Sequence, residues 1–224
     1  MSNFANSPSV ILKRVRLVWA DIFTPGDGMN GGPPKYKASA LIEPGSENEK
    51  TAKTSMLAAA KTLWGDNAAN VVRSMPANSK ALRNGNDKLA DDGSVREEYK
   101  DMLYVSSGNK NKPQVVGPKK FNGKFVTITP DGRGMVDGID VTDQLGYPLV
   151  VPFRGCYVNL KVQFTAGKSF KGKDGEIIPN QVFAKLEAVQ YVGKGDAFGA
   201  GPTSAEGFDE EEVAMAADGE GDLF

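Results

Sequence analysis

Between Tyr104 and Arg133 the chain interleaves Lys110, Lys112, Lys119, Lys120, Lys124 and Arg133 with Tyr104, Phe121 and Phe125. Aromatic faces accept stacked bases whatever their identity, and cations spaced between them follow a phosphate backbone, so the mixture suits contact with a single nucleic-acid strand. A second such mixture runs from Gly167 to Gly175, where Phe170 sits among Lys168, Lys171 and Lys173. Tyr36 beside Lys37, and Phe153 beside Arg154 and Tyr157, repeat the pairing on a smaller scale. A single aromatic of this kind is more often a core residue. The combination is what predicts a strand-binding surface.

Other chemistry is largely removed by composition. There is no histidine, which eliminates Ser-His-Asp and Cys-His nucleophiles and the commonest general base. Cys156 is the only cysteine, so no intramolecular disulfide forms and the usual structural zinc sites are excluded. No GxxxxGK[ST] run is present, and the stretch from Gly193 to Gly199 misplaces the third glycine of a dinucleotide fingerprint, so it reads as a linker. No cofactor and no metal are expected. The alternative worth keeping is a Mg²⁺-dependent nuclease built on Asp131, Asp137, Asp140 and Asp143. Against it, Asp-Gly pairs chiefly mark turns, and this spacing fits no Ca²⁺ loop.

Charge is unevenly distributed. The whole chain has 27 basic and 28 acidic side chains. Eight of the acids (Glu206, Asp209, Glu210, Glu211, Glu212, Asp218, Glu220 and Asp222) fall between 206 and 224, where no basic residue occurs. Without those 8, the rest of the chain holds 27 basic against 20 acidic groups, a balance of about +7 that favours a polyanion partner. The terminus then closes on Asp222-Leu223-Phe224, two large apolar side chains and a carboxylate. A merely solubilising tail needs no apolar end, so residues 209–212 and 222–224 read as a peptide ligand for other proteins. An adaptor acting through this tail alone is the other alternative.

The scaffold that must position these side chains is turn-rich, with 26 Gly and 13 Pro. Residues 10–23 read as a long strand whose imperfect alternation a bulge would explain. After a Gly/Pro loop over 24–34, residues 35–42 alternate, with Tyr36, Ala38, Ala40 and Ile42 on one face and Lys35, Lys37 and Ser39 on the other. Ser46 and Glu49 form a capping box, and Met56, Leu57, Ala60, Leu63 and Trp64 recur at helical spacing until Gly65, which predicts a helix over 47–64 with Trp64 buried. Residues 66–98 read as an irregular insertion. Further strands are predicted over 100–106, 113–116, 124–129, 149–165 and 181–192, and Asp174-Gly175 marks a hairpin turn. The fold class is mainly β: an OB-like Greek-key barrel with helical and loop insertions. It is expected as one domain over residues 1–200, followed by a flexible tail over 201–224. No apolar stretch approaches the ~20 residues of a membrane span and the start has no signal-peptide pattern, so a cytoplasmic protein is expected.

The order of motifs carries a resemblance. Tyr36-Lys-Ala-Ser-Ala-Leu-Ile, Leu63-Trp64-Gly65, Leu82-Arg83-Asn-Gly-Asn-Asp87, Met102-Leu-Tyr-Val-Ser-Ser-Gly-Asn-Lys110, Pro113-Gln-Val-Val116 and Gly155-Cys156-Tyr157-Val158 together resemble a family of phage single-stranded DNA-binding proteins, over roughly residues 8–200. In plan the chain is similar to phage replication proteins that join an OB fold to an acidic, aromatic-ended tail. The resemblance implies an OB fold, no enzymatic activity, and a tail that recruits replication or recombination proteins. Single-stranded DNA is the implied ligand, with duplex DNA at most a weak second one. The segment at Arg83 departs from a more usual acidic Asp-Gly-Asp form, having Asn84 and Asn86, so no ligand role is carried over to it.

Overall fold

The computed structural model describes residues 3–27, 32–172 and 175–198. Lys173, Asp174 and the whole acidic segment, including residues Asp209, Glu210, Glu211, Glu212, Asp222, Leu223 and Phe224, lie outside the described residues.

The first strand, β1 (Phe4–Gly26), is long enough to serve two neighbours. Its first part pairs antiparallel with β9 (Tyr157–Gly167) and its second part with β2 (Lys35–Ile42). Four register shifts interrupt it, at Asn6/Ser9, Leu12/Val15, Leu17/Trp19 and Asp21/Gly26. Extra residues of this kind bend a strand and re-aim its side chains. In sequence there follow α1 (Glu47–Trp64), α2 (Ala68–Ser74), β3 (Leu82–Asn84), β4 (Leu103–Asn109), β5 (Gln114–Phe121), β6 (Lys124–Ile128), β7 (Gly134–Val136) and β8 (Ile139–Asp140). After β9 come β10 (Phe170–Lys171), β11 (Ile177–Ile178) and β12 (Gln181–Gly193).

Hydrogen bonding passes from β4 to β2, β1, β9 and β12. β12 then returns to β4 through a parallel seam of two pairs, Ala184↔Ser107 and Lys185↔Gly108. The ring therefore has five strands, closed by a short seam rather than a full-length ladder. Its inside is filled by Leu12, Leu17, Ile22, Ile42, Val105, Leu160, Val162, Phe164 and Leu186, none more than 1% exposed. On β9 the alternation is regular, with Val158, Leu160, Val162 and Phe164 buried and Lys161 in solvent. A strand with one wet face needs this period of two.

Helix α1 packs over β1 and β9 through Ala52, Ser55, Met56, Ala59 and Ala60. The Ser46 hydroxyl accepts from the Glu49 amide, and the Glu49 carboxylate accepts from the Gly45 amide. Gly65, at φ 57°, ends the helix and donates to the Lys61 carbonyl. Trp64, expected to be buried, is only half-buried: it is the last residue of the helix and packs against the core from its rim. A second correction concerns residues 149–156, which form no strand. The chain there is broken by Pro152 and by Gly155, whose φ of 103° and close approach to the Asp196 carbonyl leave no room for a side chain.

Outside the ring, β5 continues past β4 along β12, and β6, β7 and β8 add to it as a projecting arm. Two-residue turns at Asn122-Gly123 and Asp137-Gly138, all four at positive φ, join its strands. That is the geometry such dipeptides favour.

Candidate nucleic-acid interface

The outer face of β1, β2 and β4 is assembled row by row. On β2, Ala38, Ala40 and Ile42 enter the core, so Lys37, Ser39 and Leu41 face outward. Across the ladder, Ser39 is opposite Ser106 and Leu41 opposite Tyr104 on β4, while Trp19 and Asp21 on β1 lie opposite Ser39 and Lys37. Leu17 is fully buried, and strict alternation would send Trp19 inward with it. Instead Leu17 pairs with Ala40 and Trp19 with the very next β2 residue, Ser39. The extra residue, Val18, turns the indole to the outside. Trp19 is 48% exposed, and its Nε1 donates to Asp21 Oδ2 at 2.8 Å. The Arg154 guanidinium lies 5.9 Å from its ring, steered by Nε donating to the Val18 carbonyl at 3.0 Å and by Glu98 at 3.7 Å. Beside it the Ser39 and Ser106 hydroxyls are bonded at 2.9 Å, and Lys37 Nζ donates to the Asp27 carbonyl.

A second cation–aromatic row lies nearer the start of β1. Arg14, held at φ 50° where the register slips between Leu12 and Val15, places its guanidinium 5.0 Å from the Tyr157 ring. Arg16 is 5.8 Å from the same ring and 4.2 Å from Phe198, and donates to the Asp196 carbonyl at 2.8 Å. Arg14, Arg16 and Tyr157 border a cleft of about 350 Å³ that also reaches Ser46 and Asn48. Cations over aromatic faces are attracted to the ring quadrupole, and both groups remain suited to a base or a phosphate.

The residues picked out by sequence fall into three places and the core. Tyr36, Lys37, Arg154 and Tyr157 belong to the outer face just described; Lys110 and Lys112 are exposed directly after Asn109, the partner of Tyr36. Lys119, Lys120 and Phe121 belong to the arm, Lys119 lying 5.4 Å from the Tyr147 ring and Lys120 5.0 Å from Phe125. Lys168, Phe170 and Lys171 lead into the β10–β11 hairpin, in which Phe170 is 38% and Ile177 79% exposed. Tyr104 is the correction. At 4% exposed, edge-on to Tyr99 at 5.3 Å and covered by Lys88, it offers no face for stacking. Phe153 is likewise packed, in part, against the core. Sequence reasoning missed Trp19, Arg14 and Arg16, because all three sit inside a strand. The available signal was the broken alternation of residues 10–23.

The four aspartates of the arm are dispersed among turns. Asp131 pairs with Arg133 at 2.6 Å and Asp137 with Lys124 at 2.5 Å, while Asp140 accepts from the Thr142 amide and hydroxyl. Bonds from Thr129 and then Arg133 hold the Asp131 carboxyl below its ordinary range, and the bonds from Thr142 do the same for Asp140. Among the described residues no such group is gathered to hold a metal ion.

A five-stranded ring with strands one, two and three in sequence, the third parallel to the fifth and the fourth between fifth and first, defines a nucleic-acid-binding barrel of the OB class. Residues 8–219 match the family described as "Enterobacter phage Enc34, ssDNA-binding protein", and the chain belongs to that family. It is 30% identical over 209 residues to the p50 protein of Acyrthosiphon pisum secondary endosymbiont phage 1, covering 91% of this chain and 94% of that one. In fold it is similar to the single-stranded DNA-binding protein from bacteriophage Enc34 solved in complex with ssDNA. There the TM-score is 0.54 at 14% identity, over 85% of this chain and 89% of that one. The same phage protein solved without DNA gives a TM-score of 0.53 at 14% identity, over 88% and 87%.

Proposed function

We infer that this chain binds single-stranded DNA, coating and protecting it during phage DNA replication or recombination in the host cytoplasm, and that it acts by binding rather than by catalysis. The observation that carries the reading is the exposed Trp19 on the outer face of an OB-class ring, with Arg154 over its ring and Lys37 in the neighbouring row. An aromatic platform beside cations is what sequence-tolerant strand binding needs. Membership of the Enc34 ssDNA-binding family supports it. Residues 1–200 form the DNA-binding domain in this reading.

Residues 201–224 have two roles. The eight carboxylates compete with DNA for the basic surface, and Leu223 and Phe224 engage replication or recombination proteins once DNA displaces them. Because the tether is part of the chain, the competition is intramolecular. Deleting residues 206–224 should therefore tighten DNA binding, most at low salt where charges are least screened. Equal affinity of the full and shortened chains at low salt would refute the competition. The function itself is tested by incubating a labelled single strand with the protein and Mg²⁺. Retention that weakens with salt and leaves the strand intact is expected. Cleavage would point to the nuclease, and neither outcome to an adaptor.

A further inference from the structure

The insertion between α1 and β4 brings three cations together over one tyrosine. Arg83 on β3 lies opposite Tyr104 on β4, and Lys88 Nζ is 5.4 Å from the Tyr104 ring. Arg96 is joined to Lys88 by a bond from its amide to the Lys88 carbonyl at 2.9 Å, next to the Leu89↔Val95 bridge. Among the described residues no carboxylate is within ion-pair distance of any of the three. Burial, with Arg83 and Arg96 nearby, pushes the Lys88 ammonium below lysine's ordinary range, as expected of a cation that lacks a counter-charge.

The loop that holds them is braced. The Gly85 amide donates to the Met102 carbonyl at 2.7 Å, and a Cβ there would stand 2.1 Å from the Tyr99 carbonyl oxygen. Asn84 Oδ1 accepts from the Asn86 amide, and Asn86 Oδ1 from the Asp101 amide at 2.8 Å. Asn84 and Asn86 thus work as neutral turn braces. Aspartates there would add negative charge beside the cations. The cluster adjoins the outer face, since Tyr104 is two residues from Ser106, whose partner Ser39 lies opposite Trp19.

We propose that Arg83, Lys88 and Arg96 form a phosphate-holding site for single-stranded DNA that leaves the Trp19 face across β4 towards β3. The proposal rests on the single-strand reading above. Arg83 also donates to the Lys80 and Asn78 carbonyls and is left unaltered in the test. Full-length Lys88→Met, Arg96→Gln double variant and unaltered protein are compared by anisotropy of a labelled oligothymidylate across a salt series. The slope of log affinity against log salt should fall by ~0.7 for each phosphate that is no longer neutralised, about 1.4 for the pair. Lys88→Arg should restore its share of the slope. Lys61→Gln on α1, which removes one charge elsewhere, should leave the slope unchanged.

Three results would overturn the assignment: an unchanged slope in a double variant with the parent's unfolding midpoint, an equal drop from Lys61→Gln, or tighter binding at low salt. The last would mean that the acidic tail, not DNA, occupies the cluster. Failure of the unaltered protein to retain the oligonucleotide would overturn the function together with this site, whereas retention with an unchanged slope would remove the site alone.

Discussion

Replacing Trp19 by alanine separates stacking from charge. The indole is 48% exposed, and its own partners are the Asp21 carboxylate and the Arg154 guanidinium, so the fold should lose only about 1 kcal/mol. Loss of one stacked base costs roughly 1–3 kcal/mol, which weakens binding by about 5- to 150-fold. No charge is removed, so the salt dependence should keep its slope while the whole line shifts down. Trp19→Phe, retaining a smaller π-face, should fall between. The other tryptophan, Trp64, is at the end of α1. Quenching of indole fluorescence by an added oligonucleotide should therefore survive Trp64→Phe and vanish in Trp19→Phe. A folded Trp19→Ala protein that binds within about twofold of the parent, well inside the smallest stacking effect, or quenching that follows Trp64, would refute the assignment of the platform.

Changing Lys110, Lys112, Lys119 and Lys120 to alanine should weaken binding and flatten the salt slope; an effect confined to Lys110 and Lys112 would take the arm out of the DNA path. Gly85→Ala should cost about 3 kcal/mol or prevent folding, read by denaturant titration, because the new methyl group meets backbone rather than a movable side chain. Cys156 is fully buried and burial pushes its thiol pKa up, so a thiol reagent at mildly alkaline pH should label it only as fast as the protein opens. Immediate stoichiometric labelling of the folded protein would contradict that burial.

What was legible in the sequence follows the range of the interactions involved. The helix over Glu47–Trp64 and the strand over Lys35–Ile42 match their predicted bounds, because a capping box, a closing glycine and a period of two are local signals. The strand ring was legible only as a class. Its closing pairs join residues about 77 apart in sequence, Ser107 to Ala184, and no local pattern encodes that. Tyr104 was misjudged for the same reason, since its cover is Tyr99, Leu41 and Lys88, assembled from the insertion and a neighbouring strand. The Asn122-Gly123 hairpin was readable from its dipeptide, and it accounts for the lysine and aromatic mixture around it as two faces of one arm.

The register shifts in β1 connect fold to function. A strand of 23 residues that pairs with β9 on one side and β2 on the other must curve sharply to close the ring, and extra residues let it do so. Each shift also changes which side chains face out without disturbing those that face in. Val15 and Leu17 stay buried on the inner side of the slips that turn out Arg14 and Trp19. The same irregularities that bend the strand thus place a guanidinium and an indole on the outer face. A regular β1 would either leave the ring open or point Trp19 into a core already filled by Leu17 and Ile22. Binding on this face is therefore a consequence of how the ring closes.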